Sequence, residues 1–246
     1  VDFHDLWIDH NDPQHMVVAC DGGASISFNG GKSWSSTHNQ PTSQFYHVAT
    51  DNQFPYRVYG TQQDNSAISV PSRSTKQSIQ WSDCYTVGAS ECGHIAVRPD
   101  NPNIVYSGAP TFSAENLLMY NHETGYTSNI SIWPEANSGR GIKELKYRFQ
   151  WTYPIVISPH NPNILYAAGN HVLRSNNSGH SWEEISPDLT RNDQSKMEPS
   201  GRPITIDTTS AEYYCTIFAL SESPQQPGVL WAGSDDGLVH ISKDHG

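Results

Sequence analysis

The sequence predicts an all-β fold, a β-propeller of four-stranded blades. Three observations carry that expectation: a five-fold internal repeat, a glycine turn motif in register with it, and a composition suited to short strands. Charged residues are only 16% of the 246 residues, aromatics are 11%, and 18 Gly and 16 Pro punctuate the chain. Such a composition suits many short strands joined by tight turns and leaves little room for long helices.

Each repeat unit begins with an apolar strand closed by a proline turn. FHDLWIDHNDP ends at Pro13, FYHVATDNQFP at Pro55, CGHIAVRPDNP at Pro102, TYPIVISPHNP at Pro162 and IFALSESPQQP at Pro227. A second strand follows in every unit: MVVAC, RVYG, NIVYSG, NILYAAG and GVLWAG. The prolines Pro13, Pro55, Pro102, Pro162 and Pro227 are 42, 47, 60 and 65 residues apart, against about 40 to 50 residues for a propeller blade. The two long steps predict inserted loops. Segments before the third turn (ASISF, HVLRS, LVHIS) supply a third strand, and the stretch after that turn a fourth.

The third turn carries the sharpest motif. Ser27 to Trp34 reads SFNGGKSW and Ser175 to Trp182 reads SNNSGHSW, both S-x-N-x-G-x-S-W; Ser242 to Gly246 reads SKDHG, the same pattern cut off before its Trp. Degenerate copies sit at Asn121 to Ser128 and Ser74 to Trp81. This motif resembles the Asp box, or BNR repeat, and the chain is similar over its whole length to Asp-box propellers. Its residues are expected to be structural. The side chains of Asn29, Asn177 and Asp244 accept hydrogen bonds from turn amides, Gly31 and Gly179 supply left-handed backbone, Ser27 and Ser175 open the turn, and Trp34 and Trp182 pack between sheets.

One propeller domain or fragment therefore covers 1–246, with blade units starting near residues 3, 45, 92, 151 and 216. The cut box predicts a fragment of a longer chain, or a sequence known in part, belonging to a propeller of six to eight blades. Further blades would come from the rest of the chain or from another chain, because closure removes exposed strand edges.

Within the Asp-box group, RFQWTYPIVISPHNPNILYAAGNHVLRSNNSGHSW and VLWAGSDDGLVHISKDHG look like large bacterial secreted proteins labelled sortilin-like or glycosyl hydrolase. The resemblance implies a secreted or periplasmic protein that binds a peptide or glycan, or a glycoside hydrolase. A sialidase would need an Arg-Ile-Pro element near its start; the nearest text, Arg202-Pro203-Ile204, is not one. A xyloglucanase-type hydrolase would need two acidic residues facing each other across a cleft, and no local motif transfers them.

Charge narrows the partners. A net charge of −11 repels phosphate backbones and anionic lipid, so nucleic acid is not expected as a partner. The apolar runs are strand-sized, so no membrane span is expected. Cys20, Cys84, Cys92 and Cys215 lack metal-ligand spacing; no metal or cofactor is expected, while Cys84 and Cys92 could form a loop disulfide or remain thiols.

A functional site is expected on the face opposite the boxes, where the turns between second and third strands and the interblade links gather. The candidate acid and base residues there are Asp5, Asp21, Asp64, Glu91, Glu212 and Asp235. Asp21, Asp64 and Asp235 recur at one turn and could equally be turn formers. Candidate binding residues are Tyr46, His47, Gln63, Asn65, His94, Arg148, Trp151, His171, Tyr213, Tyr214 and Asp236. His47 and His94 could polarise a ligand or merely bond to neighbouring strand ends. Arg148 belongs to the only basic cluster, with Arg140, Lys143 and Lys146, which could greet an acidic sugar or a peptide carboxylate. Two functions remain: a glycan- or peptide-binding module, supported by the absence of any nucleophile–base constellation, and a glycoside hydrolase with its carboxylates about 5 to 9.5 Å apart. A protein-assembly scaffold would differ from the binding module only in its partner.

Overall fold

The computed structural model describes residues 2–37, 43–88, 91, 93–111, 114–137, 139–201, 203, 204, 206 and 208–246, with the side chains of 109–116 outside the description. The chain folds as five antiparallel sheets arranged as propeller blades. The first blade is β1 (Phe3–Ile8), β2 (Met16–Cys20) and β3 (Gly23–Ser27). The second is β4 (Phe45–Thr50), β5 (Arg57–Gln62), β6 (Ser66–Pro71) and β7 (Tyr85–Thr86). The third is β8 (Ile95–Val97), β9 (Ile104–Thr111), β10 (Ala114–Asn121) and β11 (Tyr126–Asn129). The fourth is β12 (Ile155–Ile157), β13 (Leu165–Ala168), β14 (Val172–Ser175) and β15 (Glu183–Glu184), and the fifth is β16 (Ile217–Glu222), β17 (Leu230–Ser234) and β18 (Val239–Ser242).

Within every sheet the strands pair in chain order, so each blade is a meander. The three middle blades have four strands, and the first and fifth have three. In the first blade the segment expected as a fourth strand is tied to β3 by hydrogen bonds from Ser35 N to Ile26 O (2.9 Å) and from Ile26 N to Ser35 Oγ (2.9 Å). In the second blade the text around Trp81 forms a short 3-10 turn, and the outer strand begins only at Tyr85. The first strands β4, β8, β12 and β16 lie against one another in sequence, which places them innermost.

The core lies between blades rather than in one centre. Tyr59, Ala67 and Val87 of the second blade pack on Ile95 and Val105. Tyr106, Leu117 and Ile130 of the third meet Ile155, Ala167 and Leu173 of the fourth, whose own Tyr166, Ala168 and Val172 meet Ile217, Leu230 and Ala232. Period-2 alternation produces this, because each strand sends alternate side chains to the blades before and behind it. Fully burying one such large side chain is worth roughly 1.5–3 kcal/mol.

The three box turns share one hydrogen-bond pattern. Ser27 Oγ accepts from Asn29 N (3.3 Å) and Gly31 N (2.9 Å) and donates to Asn29 Oδ1 (3.1 Å), which accepts from Ser33 N at 2.9 Å. Ser175 and Asn177 repeat it, with Gly179 N 2.8 Å from Ser175 Oγ and Ser181 N 2.9 Å from Asn177 Oδ1. Ser242 and Asp244 repeat it again, with Gly246 N donating to Ser242 Oγ at 2.8 Å. The glycine of each box sits at positive φ, for example +92° at Gly179, whose α-hydrogen side faces Ile130 of the preceding blade. Trp182 closes the contact by donating from Nε1 to Ile130 O at 3.0 Å.

Candidate functional site

The register fixes which turns share a face. Phe3 pairs with Cys20, Phe45 with Gln62 and Ile217 with Ser234, so the start of each inner strand lies beside the turn after the second strand. Asp21, Asp64 and Asp235 occupy these turns, at the end of the blades opposite the boxes.

Five of the sequence-predicted residues, Asp21, Tyr46, Gln63, Asp64 and Glu91, come together across the first two blades and the link to the third. Asp21 pairs with His4 and accepts from Asp2 N at 2.9 Å. Its hydrogen bond and charge raise the His4 pKa above its ordinary value, and the imidazole in turn lowers that of Asp21. Tyr46 donates to Gln63 Oε1 at 2.5 Å, and Gln63 donates through Nε2 to Asp64 Oδ1 at 2.9 Å. Asp64 holds its turn in left-handed backbone, φ +58°, a conformation that Asp tolerates better than most residues. The Asp64 carboxylate in turn meets Glu91 from the interblade link. Burial, the hydrogen bond to Asp64 and the charges of Asp64 and Asp21 together push the Glu91 carboxyl above the ordinary glutamate range. Thr61 steadies that link by donating to Gly93 O at 2.7 Å.

Beside this acidic group, at the starts of the second and third inner strands, His47 and His94 stack on each other, with centroids 3.7 Å apart and an interplanar angle of 25°. Burial lowers both pKa values, that of His94 to about 4, and the neighbouring His47 adds to the effect on His94. Both rings are therefore neutral at pH 7.

Other candidates make contacts within the fold. Arg148 is buried: its Nε donates to Cys215 O (2.9 Å), and one terminal nitrogen donates to Asp188 Oδ2 (2.6 Å) and Thr190 Oγ1 (2.9 Å). Asn170 joins through Nδ2 to Asp188 at 3.1 Å. Burial alone would raise the Asp188 carboxyl, but bonds from Thr190, Arg148 and Asn170 hold it below the ordinary range. The remaining cations of the cluster are also engaged: Arg140 with Glu135, Lys143 with Glu198, and Lys146 over the ring of Trp133 at 3.9 Å. Three of the four cations are thus paired with acids, and Lys146 keeps its charge over an aromatic ring.

Asp235 accepts from Thr216 N (3.0 Å) and Oγ1 (2.8 Å), and burial keeps its carboxyl above the ordinary value despite them. Asp236 is tied to Arg191 N (2.6 Å) and Ser234 Oγ (2.5 Å). Glu212 caps Thr209 N at 2.7 Å, and Asp5 accepts from Leu6 N at 2.8 Å. His171 bonds through Nδ1 to Ser186 O at 3.0 Å. Tyr213 is buried with its hydroxyl 3.4 Å from Asn137 O, Tyr214 lies under Lys196 Nζ at 4.9 Å, and Trp151 N donates to Ser210 O at 3.2 Å. Asn65 Nδ2 donates to Gln63 O at 3.1 Å.

Cys84 is a free thiol, and Cys92, named with it as a possible disulfide partner, lies outside the described residues. Arg202 of the Arg202-Pro203-Ile204 segment lies outside them too, as do the side chains of residues 109–116 at the β9–β10 hairpin. Sequence reasoning missed the His4–Asp21 pair and the partners Asp188 and Thr190 of Arg148. The one available signal was that Arg148 sits in the apolar text RFQW, where an arginine needs an acid. Among the described residues no group of three or more His, Cys, Asp or Glu side chains could hold a metal ion, and no helix is long and apolar enough to cross a membrane.

No protein-family model matches this chain, and no curated protein matches it. Among solved structures it is similar to a GH74 enzyme from Niastella koreensis, with TM-score 0.51 and 14% identity, covering 98% of this chain and 36% of that one. An ancestral GH74 enzyme gives TM-score 0.48 at 19% identity over 96% of this chain and 28% of the other. The extracellular domain of a one-component system from B. thetaiotaomicron gives 0.45 at 13% over 94% and 26%. The chain thus spans little more than a third of the longest-covered of these relatives. At such identities the likeness speaks to the fold alone, an all-β propeller.

Proposed function

We propose that this chain is part of an extracellular or periplasmic Asp-box propeller that binds a neutral or cationic ligand, a glycan or a peptide, on the face opposite its boxes. The single observation that carries the reading is the convergence of Asp21, Asp64 and Glu91 beside Tyr46, Gln63 and the neutral His47–His94 stack. Hydrogen-bond acceptors on a rigid strand-end frame suit hydroxyls or ammonium groups. An acidic ligand is disfavoured, because the site is anionic and Arg140, Lys143 and Arg148 of the basic cluster are paired with Glu135, Glu198 and Asp188. The identical Ser–Asn/Asp–Gly hydrogen-bond pattern of the three turns supports the Asp-box assignment.

The hydrolase reading keeps one supporting feature, a glutamate whose proton is held above the usual range, as a general acid requires. Against it, the Glu91 carboxyl is raised by burial and by the neighbouring Asp64, which accounts for the shift without a catalytic pair flanking a glycosidic bond. The test is binding of the protein to arrays of neutral, basic and acidic glycans and peptides, alongside reducing-end release from β-glucans. Saturable binding of a neutral or basic ligand, weakened by Asp64→Asn, supports the binding module. Turnover abolished by Glu91→Gln would replace it with the hydrolase, and binding confined to acidic ligands would overturn both the site and its charge argument.

A further inference from the structure

The insert between the third and fourth blades has both its ends beside one groove. Trp133 stands where the chain leaves β11, and Lys146 and Tyr147 where it returns towards β12. Glu135 ties the two ends together: its carboxylate accepts from Trp133 Nε1 at 3.2 Å, from Lys146 N at 3.1 Å and from Arg140 at 2.8 Å. Trp133 and Tyr147 meet edge to face, with their planes 86° apart. The Lys146 ammonium sits over both rings, 3.9 Å from the Trp133 centroid and 4.9 Å from that of Tyr147, close enough for a cation–π contact with each.

The facing wall belongs to the fourth blade. Trp182 leaves the box turn and donates from Nε1 to Ile130 O at 3.0 Å, and Glu184 of β15 accepts from the Tyr147 hydroxyl at 3.0 Å. Between the walls lies a cavity of about 390 Å³, within the roughly 300–1,000 Å³ of small-ligand clefts. It opens at the rim of the propeller, since β11 and β15 are the outermost strands of their sheets. None of its lining residues belongs to the acidic group of Asp21, Asp64 and Glu91.

Two features identify the ligand. Both indole N–H groups are engaged within the protein, so the tryptophans present ring surface rather than a donor, and Trp133 is 42% exposed. A ring whose orientation is fixed before binding spares a ligand the cost of ordering it. The walls also set the Lys146 ammonium against the Glu184 carboxylate. A ligand of either sign meets an opponent as well as a partner there, whereas a hydroxyl donates to the carboxylate and accepts from the ammonium. A pyranose ring combines a face of C–H groups, which packs on an aromatic ring, with an edge of hydroxyls. We propose that this rim groove is a binding site for a short neutral saccharide, packed against Trp133 and Trp182 with its hydroxyls between Lys146 and Glu184. The site is separate from the one on the face opposite the boxes and does not rest on it.

Calorimetric titration of the full chain with cellobiose, maltose and lactose tests it, with digalacturonic acid and the glucosamine dimer as charged counterparts. At least one neutral disaccharide should bind saturably. Trp133→Ala and Lys146→Met should each weaken that binding about tenfold or more, the loss of one stacking or charge-assisted contact. Trp133→Tyr, which keeps an aromatic face, should retain most of it, and Trp81→Ala, at an exposed tryptophan of the second blade, should change nothing. No saturable binding of any neutral disaccharide overturns the proposal. So does binding that survives Trp133→Ala but is lost in Asp64→Asn, which moves the saccharide to the face opposite the boxes. Tighter binding of digalacturonic acid abolished by Lys146→Met, or of the glucosamine dimer abolished by Glu184→Gln, overturns it as well, by making the groove a site for a charged ligand.

Discussion

His47 and His94 come from adjacent blades and stack with their ring centroids 3.7 Å apart, both lowered in pKa by burial. Because the folded-state value lies below the ordinary 6.5, the unfolded chain binds protons first as the pH falls. The stability this pair contributes is present at pH 7 and is lost as the pH drops from about 6.5 towards about 4. With His94 near 4, the loss approaches 3 kcal/mol at roughly 1.36 kcal/mol per unit, less what remaining solvent access screens. Urea midpoints measured between pH 7 and 5 should fall for the wild type and stay flatter for His94→Gln. Equal slopes for both would show that the stack does not set the acid sensitivity.

The buried Arg148 should behave as a structural clamp rather than a ligand contact. Arg148→Met takes the cation from beside Asp188, which keeps only its Thr190 and Asn170 bonds, and removes the side-chain donor to Cys215 O, a loss of about 3–5 kcal/mol for a broken buried pair. The double variant Arg148→Met, Asp188→Asn removes the stranded charge and should recover part of it. Calorimetric midpoints decide: a single variant that melts like the wild type but loses ligand would restore Arg148 to the binding surface.

The contrast between these two pairs explains what was legible in the sequence. The blades were readable because they are local and repeated: the proline turns and the box need only a few consecutive residues, and the large side chain at the Tyr59, Tyr106, Tyr166 and Trp231 position recurs with the strand register. The opposite face could also be located, since antiparallel connectivity puts alternate turns at alternate ends. What could not be read were side-chain meetings across long separations. Arg148 meets Asp188 across 40 residues and the backbone of Cys215 across 67, and nothing in either neighbourhood names the other. Asp64 and Glu91 were both candidates, but their contact depends on how the interblade link folds back, which no local motif specifies. Outer strands were the weakest part, because a fourth strand packed on one side only carries little hydrophobic pattern.

The box turns provide a graded test of backbone strain. A Cβ at Gly179 would lie 2.4 Å from Ile130 Cδ1 at φ +92°, whereas a Cβ at Gly125, φ +69°, meets nothing within 4 Å. Gly125→Ala should therefore cost only the left-handed conformation, about 1–2 kcal/mol, and Gly179→Ala distinctly more, because the blade contact must also open. Ser175→Ala, which strands the Asn177 and Gly179 amides, should cost about 1–3 kcal/mol. Chemical unfolding of the three variants gives the order, and Gly179→Ala no worse than Gly125→Ala would show that the fourth box does not pack on the third blade as closely as its geometry states.

Glu91 separates fold from function at the acidic face. Its carboxyl is raised by burial and by Asp64 and Asp21, so ionising it in the folded state is unfavourable. A group whose folded pKa exceeds its unfolded one contributes stability at low pH that is lost as the pH rises through the folded value. At neutral pH the charged Glu91 is then a net burden, and Glu91→Gln should raise the melting temperature at pH 7.5 while changing it little at pH 4, where both forms are neutral. The same change removes an acceptor from the proposed site, so affinity for a neutral or cationic ligand should drop about tenfold or more, the effect of losing one charge-assisted hydrogen bond. A variant that is stabilised yet binds unchanged would keep the electrostatic account of Asp21, Asp64 and Glu91 and move the ligand elsewhere on the propeller.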